Sequence, residues 1–262
     1  MARIIPFFML AACFPLAAQE NWCSAYSSHT DGMITHAEVR EERLAAATEN
    51  TINPAQNGSI RVHGWTNAGI QVKACIQSTA RDESTAEILA KQVTISDGPG
   101  RVVAKGPSSN DNSWWSVSYE VWAPAAANLK LEAFNGSIHV EGMAGHIRAH
   151  TLNGSVKLKD VGGEVDGETT NGSLSVDLTG NGWHGAALRL NTVNGSIQLH
   201  LPSALSAAVE VSTVHGRVQS DFATEGKPED KNSVKFTLGG GGAKIEAHTV
   251  NGSVQHRPAD VG

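Results

Sequence analysis

The stretch that decides the fold is "TTNGSLSV", Thr169 to Val176. Its Asn-Gly-Ser core recurs at Asn57, Asn135, Asn153, Asn171, Asn194 and Asn251, and the near-copy His215-Gly216-Arg217 stands where another would fall. Asn135, Asn153 and Asn171 are 18 residues apart, and the later steps are 23, 21 and 36, the last being twice 18. A fixed period of this length is the mark of a chain built from stacked structural repeats.

Aligning the copies from Asn135 onward on the Asn gives columns of distinct chemistry. Six residues before it stand Leu129, Ile147, Val165, Leu188, Val209 and Ile245, all aliphatic. Five before it are Lys130, Arg148, Asp166, Arg189, Glu210 and Glu246, all charged. Four before it the column turns small or apolar again, with Leu131, Ala149, Gly167, Leu190, Val211 and Ala247. Beyond the turn, Ile138, Val156, Leu174, Ile197, Val218 and Val254 form another dry column. The next dry column, Val140, Leu158, Val176 and Leu199, fails only at Ser220 and His256. Alternation with period two is that of strands with one wet and one dry face. Each repeat is therefore two short strands joined at Asn-Gly, residues that accept the positive φ of a tight corner. The corner alone favours hairpins. The matched columns favour a β-solenoid of about 18-residue coils, in which asparagines hydrogen-bond from coil to coil. The longer steps read as insertions. Thr179 to Ala187 lengthens one coil, and Ala223 to Ala243 replaces a whole coil with a polar loop and a short strand at Val234 to Leu238.

Residues 51–128 form a different, β-rich amino-terminal portion. "GSIRVHGW" and "AGIQVKACIQ" alternate as strands, and further strands are predicted at Gln92 to Ser96, Arg101 to Lys105 and Trp115 to Trp122. "RDESTAEILAKQ" is the one short helix, with Ser84 to Glu87 as a capping box. Residues 37–48 have helical propensity, yet their company predicts a strand. The organisation expected is a signal peptide at 1–18, an arm and leading strand at 19–50, the β-rich portion at 51–128, solenoid repeats at 129–256 and a tail at 257–262.

The first residues, "MARIIPFFMLAACFPLAAQE", place Arg3 before an apolar run and small residues Ala17 and Ala18 before Gln19, the pattern of a secretory signal cleaved after Ala18. Leu10 to Cys13 also resembles a lipobox, which leaves Cys13 as an alternative lipid anchor. No later segment is apolar enough to span a bilayer. Of the two remaining cysteines, Cys23 and Cys75, a disulfide tying the arm to the first sheet is the favoured reading, with two free thiols as the other.

A chain of 262 residues with 40% hydrophobic residues and 27 glycines has a core to bury and many turns. Its net charge of −6 argues against a nucleic-acid surface. Locked to the coil period, the Asn-Gly-Ser triplets read as corners and not as glycan acceptors. His139, His150 and His248 face outward without converging, and His150 beside Glu168 lacks the further ligands of a zinc site. Asp166 and Glu168 are better read as surface than as a catalytic pair. No nucleophile, metalloprotease or phosphate-loop motif is present, and Gly239 to Gly242 reads as a hinge. Catalytic, cofactor and metal residues are accordingly set at none. Trp183, in an insertion, is a candidate for sugar stacking, and the strand from Trp114 to Trp122 for capping the solenoid end.

With "NPAQNGSIRVHGW", a helix, "VSYEVWAPAAANLKLEAFNGSIHVEG", "LNTVNGSIQLHLP" and a closing "GGGGAKIEAHTVNGSV" in that order, the chain resembles the bacterial DUF4097 "putative adhesin" β-strand-repeat family. The resemblance implies a β-solenoid in an exported or envelope protein, and it carries no catalytic residues. The expected role is a non-catalytic, adhesin-like or scaffold protein of the periplasm or outer cell surface, with an envelope protein or a glycan as partner. The alternatives are a polysaccharide-acting β-helix enzyme and a periplasmic partner in envelope stress signalling.

Overall fold

A computed structural model describes residues 23, 32–95, 98–179, 183, 185–221 and 232–259. Residues 1–18, the expected signal peptide, with Cys13, most of the arm, parts of both insertions and the end of the tail lie outside the described residues. The described residues form an all-β fold with one helix. Its strands, in order, are β1 (Ile34–Ala45), β2 (Asn50–Asn53), β3 (Ile60–Trp65) and β4 (Gly69–Ala80). Helix α1 (Glu83–Gln92) follows, then β5 (Arg101–Val103) and β6 (Ser113–Pro124). Next come the coil strands β7 (Leu129–Asn135), β8 (Ile138–Glu141), β9 (His146–Asn153), β10 (Val156–Lys159), β11 (Gly163–Asn171), β12 (Leu174–Asp177), β13 (Gly185–Asn194) and β14 (Ile197–Leu201). The chain closes with β15 (Ala207–His215), β16 (Val218–Ser220), β17 (Ser233–Leu238), β18 (Ala243–Asn251) and β19 (Val254–Pro258).

Each Asn-Gly-Ser corner passes the chain from one sheet to the other. Sheet B takes the strand before the corner, in the order β17-β15-β18-β13-β11-β9-β7-β2-β5, and sheet A takes the strand after it, in the order β1-β4-β6-β3-β8-β10-β12-β14-β19-β16. Pairing between coils is parallel and in the register of the sequence columns: Leu129 opposite Ile147, Ile147 opposite Val165, Val165 opposite Leu188. The dry columns meet between the sheets, and Ile147, Val165, Leu188 and Ile245 are fully buried. Burying one such aliphatic side chain contributes roughly 1.5–3 kcal/mol, so the columns supply the cohesion of the stack.

The corner itself differs from the expected positive-φ turn. Among the described non-glycine residues only Ala55 and Asp160 have positive φ, and of the corner glycines only Gly58 does. Glycine is required there by proximity. A Cβ on Gly154 would lie 2.2 Å from the carbonyl oxygen of Gly136, and one on Gly172 would lie 1.9 Å from that of Gly154. The backbones of successive corners touch, and no side chain fits between them.

Three hydrogen-bond ladders run along this edge. Asn135, Asn153, Asn171, Asn194 and Asn251 each donate from Nδ2 to the Oδ1 of the preceding asparagine in the stack, at 2.8–3.0 Å, beginning at Asn57. The buried hydroxyls of Thr151, Thr169, Thr192, Thr213 and Thr249 donate to a corner glycine carbonyl of the adjacent coil. Ser59, Ser137 and Ser196 accept, through Oγ, the backbone N–H of the corresponding serine one coil on.

Coil order departs from chain order at the carboxyl-terminal end. β18 pairs with β13 on one side and β15 on the other, and β19 lies between β14 and β16. The last coil is thus inserted beneath the one that precedes it in sequence, and no coil is missing. Of the segment expected to replace a coil, β17 is described, and it lies antiparallel on β15 at the edge of sheet B.

The opposite end is closed by α1 and by the antiparallel strands β1 and β4. The strand expected as a tryptophan-bearing cap, β6, instead lies inside sheet A between β4 and β3, where its alternation buries Val117, Tyr119 and Val121. Asp82 caps α1, accepting from the backbone N–H of Thr85 at 2.8 Å, two residues earlier than the capping box predicted. Arg40 of β1 donates to the carbonyls of Ala90 and Val93 at the helix carboxyl end, where a cation is favoured. Residues 37–45 are a strand because they pair along their whole length with β4, which outweighs local helical propensity. Cys23 and Cys75 form a disulfide with Cα atoms 5.4 Å apart, tying the arm to the outer side of β4.

Candidate functional site

The coil geometry gives the molecule two outward faces, one on each sheet, and the residues with chemistry are arrayed on them in columns. On sheet B the wet columns pair Lys130, Arg148, Asp166 and Arg189 across β7, β9, β11 and β13. Beside them run Glu132, His150, Glu168 and Asn191. All of these except Arg189 line an open depression of about 340 Å³. Each carboxylate lining it has a cationic or imidazole partner. Glu132 lies 2.8 Å from Lys130, Glu168 lies 3.5 Å from His150, and Asp166 lies 3.2 Å from Arg189. Asp166 and Glu168 sit side by side on one strand and do not face each other across a cleft, as a glycosidase pair does. The arrangement is a ladder of mixed charge in which Glu132 and Asp166 are ion-paired and Glu168 faces an imidazole.

Among the described residues, two groups of side chains are close enough to share a cation: His36 with Glu83 and Glu87, and His146 with Glu164 and Asp166. In the second, Arg189 already stands among the carboxylates, 2.9 Å from Glu164 and 3.2 Å from Asp166, with Glu246 at 3.6 Å. Hydrogen bonds to Glu164 and then Asp166 push the Arg189 guanidinium pKa further up. The arginine occupies the place a metal would take. His146 and Glu164 share the column seven residues before the Asn, one step beyond the columns that define the coil. Extending the alignment by that step is the sequence signal for this cluster. His150 and His248 lie on strands separated by β11 and β13, and His248 pairs with Ser212 at 3.0 Å.

On sheet A the outward residues of β4, β6, β3, β8 and β10 form two adjacent rows. One runs Lys73, Glu120, Arg61, His139, Lys157, and the other Gln71, Trp122, His63, Glu141, Lys159. Trp122 and His63 form a near-parallel pair, with ring centroids 5.6 Å apart and planes at 24°, and Lys73 Nζ lies 5.8 Å from the Trp122 ring. His63 contacts Glu120 at 3.2 Å, and Lys159 bonds Glu141 at 2.7 Å, which holds the Glu141 carboxyl below its ordinary range. Burial, then the adjacent Arg61, holds the His139 imidazole below its usual value.

Trp183, the expected sugar-stacking residue, is 9% exposed and belongs to the core. Its ring fills the space above Gly185, where a Cβ would lie 2.2 Å from the indole. An apolar ring in a long insertion folds back onto the stack because burial there outweighs exposure. Phe134, Val193 and Val214, one residue before the corner Asn or His, are exposed instead.

A two-sheet β-solenoid with asparagine-laddered corners and polar outer faces defines the class of protein. Residues 39–255 match the family model described as Toastrack DUF4097, and the chain belongs to that family. No curated protein matches the chain. Among solved structures, the chain is similar to a "putative cell adhesion protein" from Clostridium sporogenes, with 12% identity, a TM-score of 0.41, and coverage of 85% of this chain and 99% of the other. A "putative adhesin" from Bacteroides fragilis shares 10% identity at a TM-score of 0.38, covering 84% and 97%. A "putative lipid binding protein" from Parabacteroides distasonis shares 12% identity at a TM-score of 0.37, covering 84% and 96%. Among the described residues no helix is long and apolar enough to cross a membrane.

Proposed function

We propose that this chain is an exported, non-catalytic envelope protein of the periplasm or outer cell surface, in which the solenoid is a rigid platform presenting its outer faces to a glycan or protein partner. The observation that supports this most directly is the strict register of outward columns on both sheets. It sets charged and polar side chains at strand spacing over an extended surface, with Glu132 and Asp166 of the sheet B depression ion-paired to Lys130 and Arg189. Such a surface recognises an extended partner by repeated weak contacts. Carboxylates held in such ion pairs are poorly set up for proton transfer, which needs an acid and a base held at separated pKa values. The Cys23–Cys75 disulfide fits an oxidising compartment.

The test is fractionation and capture with the full-length chain in a bacterial host. It should partition with the periplasm or outer surface and retain envelope glycan or protein at near-stoichiometric level, while releasing no reducing sugar from polysaccharides. Retention in the cytosol would remove the proposal, as would reducing-sugar release that is lost in Glu168→Gln.

A further inference from the structure

We propose that the outer face of sheet A beside Trp122 is a binding site for an acidic polysaccharide, with Arg61, His139 and Lys157 contacting its carboxylates and the Trp122–His63 pair taking a sugar ring. This deepens the platform reading above and rests on it. Arg61, His139 and Lys157 are paired in register on β3, β8 and β10. Adjacent strands are about 4.8 Å apart, so the three form a line of cationic and titratable groups about 10 Å long. Arg61 and Lys157 are exposed, and neither has a carboxylate within salt-bridge distance among the described residues. Their neighbours do: Lys73 pairs with Glu41 at 3.3 Å, and Lys159 with Glu141 at 2.7 Å. In a chain of net charge −6, two uncompensated cations aligned on a flat sheet leave anion-binding capacity that the fold itself does not use. Ion pairs formed elsewhere on the surface make this contrast local.

The second row supplies the other half of sugar recognition. Trp122 is half-buried with its ring held against His63 and near Lys73, so its position is fixed before any ligand arrives. A fixed aromatic face accepts the C–H face of a pyranose ring, while the adjacent cations take the carboxylates. Nucleic acid also stacks and carries anions, but it is held through many phosphate contacts and this face offers only the short line of Arg61, His139 and Lys157. An acidic peptide would leave the aromatic pair without a matched partner on this flat face.

The experiment measures binding of the full chain to polygalacturonate, with dextran, phosphatidylglycerol vesicles and a single-stranded oligonucleotide as comparison probes. Polygalacturonate should bind, weakening as NaCl is raised, and dextran should not. The double variant Arg61→Ala/Lys157→Ala should weaken binding about tenfold or more, as expected for two charge-assisted contacts. Trp122→Ala should weaken it about fivefold through loss of stacking. Lys91→Ala, an exposed lysine on α1 and outside both sheet faces, should leave it unchanged. Both cations are exposed, so the double variant keeps its melting temperature, and an affinity equal to the parent's would overturn the site. Binding to the vesicles or the oligonucleotide in place of polygalacturonate would overturn the ligand class. If polygalacturonate is ignored while envelope capture persists, this inference falls and the platform function stands. If both are absent, the platform function falls as well.

Discussion

The middle of the stack and its carboxyl-terminal end are built from the same repeat by different routes. From β7 to β14 each coil lies on the one before it in sequence, and every corner is Asn-Gly-Ser. At the end, the coil of β18 and β19 has slipped between its predecessors, and the coil of β15 and β16 is left at the rim. The displaced coil is the one with the imperfect corner, His215-Gly216-Arg217. An interior asparagine must accept from one neighbour and donate to the other. A rim residue has one neighbour only. The intact Asn251 therefore gains more inside, where it donates to Asn194 at 2.8 Å, and the histidine loses little at the edge. The dry column behaves alike: Ser220, at the rim, is the small polar residue, while His256 takes the interior place and stacks on Phe236 at 4.7 Å. Degeneracy of the repeat marks the end of the stack in space, and not the end of the chain.

This comparison can be broken at several levels. The largest effect is expected from deleting residues 243–259. That removes β18 and β19, strips β15 and β16 of their stacking partner, and should expose 207–221 to proteolysis and hydrogen exchange while β7 to β12 stay protected. Protection of 207–221 in the truncated chain would show that the rim coil docks on β13 by itself. Next in size is Gly172→Ala, which forces a Cβ to 1.9 Å from a carbonyl held on both sides by stacked coils. It should cost about 3–5 kcal/mol in denaturant unfolding. Gly216→Ala meets the same clash with Gly252, but in a coil free to shift outward, and should cost about half as much.

A third test uses pH. Burial, opposed by Asp221, holds the His256 imidazole down to about 4 from its ordinary 6.5. Between those values the unfolded chain takes up a proton that the folded chain refuses. Stability is therefore full above about pH 6.5 and falls as the pH drops towards 4, by roughly 1–3 kcal/mol. His256→Leu should flatten that decline in melts between pH 4 and 7, and an unchanged pH profile would place the acid sensitivity elsewhere. The smallest effect belongs to the asparagine ladder. Asn171→Ala breaks two side-chain bonds and should cost about 1–2 kcal/mol, whereas Asn57→Ala, at the end, breaks one and should cost about half that. Equal losses at the two positions would mean the ladder adds nothing cooperative.

Much of the fold is legible in the columns. The aliphatic positions stack as Ile147, Val165 and Leu188 do because alternation fixes which face of each strand is dry, and a one-residue slip would put every charge inside. The asparagine ladder is legible for the same reason. The glycine of the triplet is conspicuous in sequence, but its cause is not: the carbonyl it makes room for belongs to another coil. The threonine ladder, two residues before the corner, is present as a column from Thr151 onward, and only the contact with a neighbouring glycine carbonyl gives it meaning. The outward charged columns are likewise visible, but which charges are neutralised depends on cross-strand reach. Arg189 gathers three carboxylates from two neighbouring strands, while among the described residues Arg61 gathers none. Trp183 shows the limit plainly, since its place in an insertion says loop while its burial says core.

By itself the sequence determined the repeat, the dry and wet faces of its strands, the position of each corner and the presence of a lone helix, because all of these follow from local periodicity and side-chain chemistry. The tertiary structure alone decided the order in which the coils stack, which charges are left uncompensated and what closes each end. Those depend on distances between residues far apart in the chain, where any two coils with matching columns are chemically able to pair and only the packing of the whole selects among them.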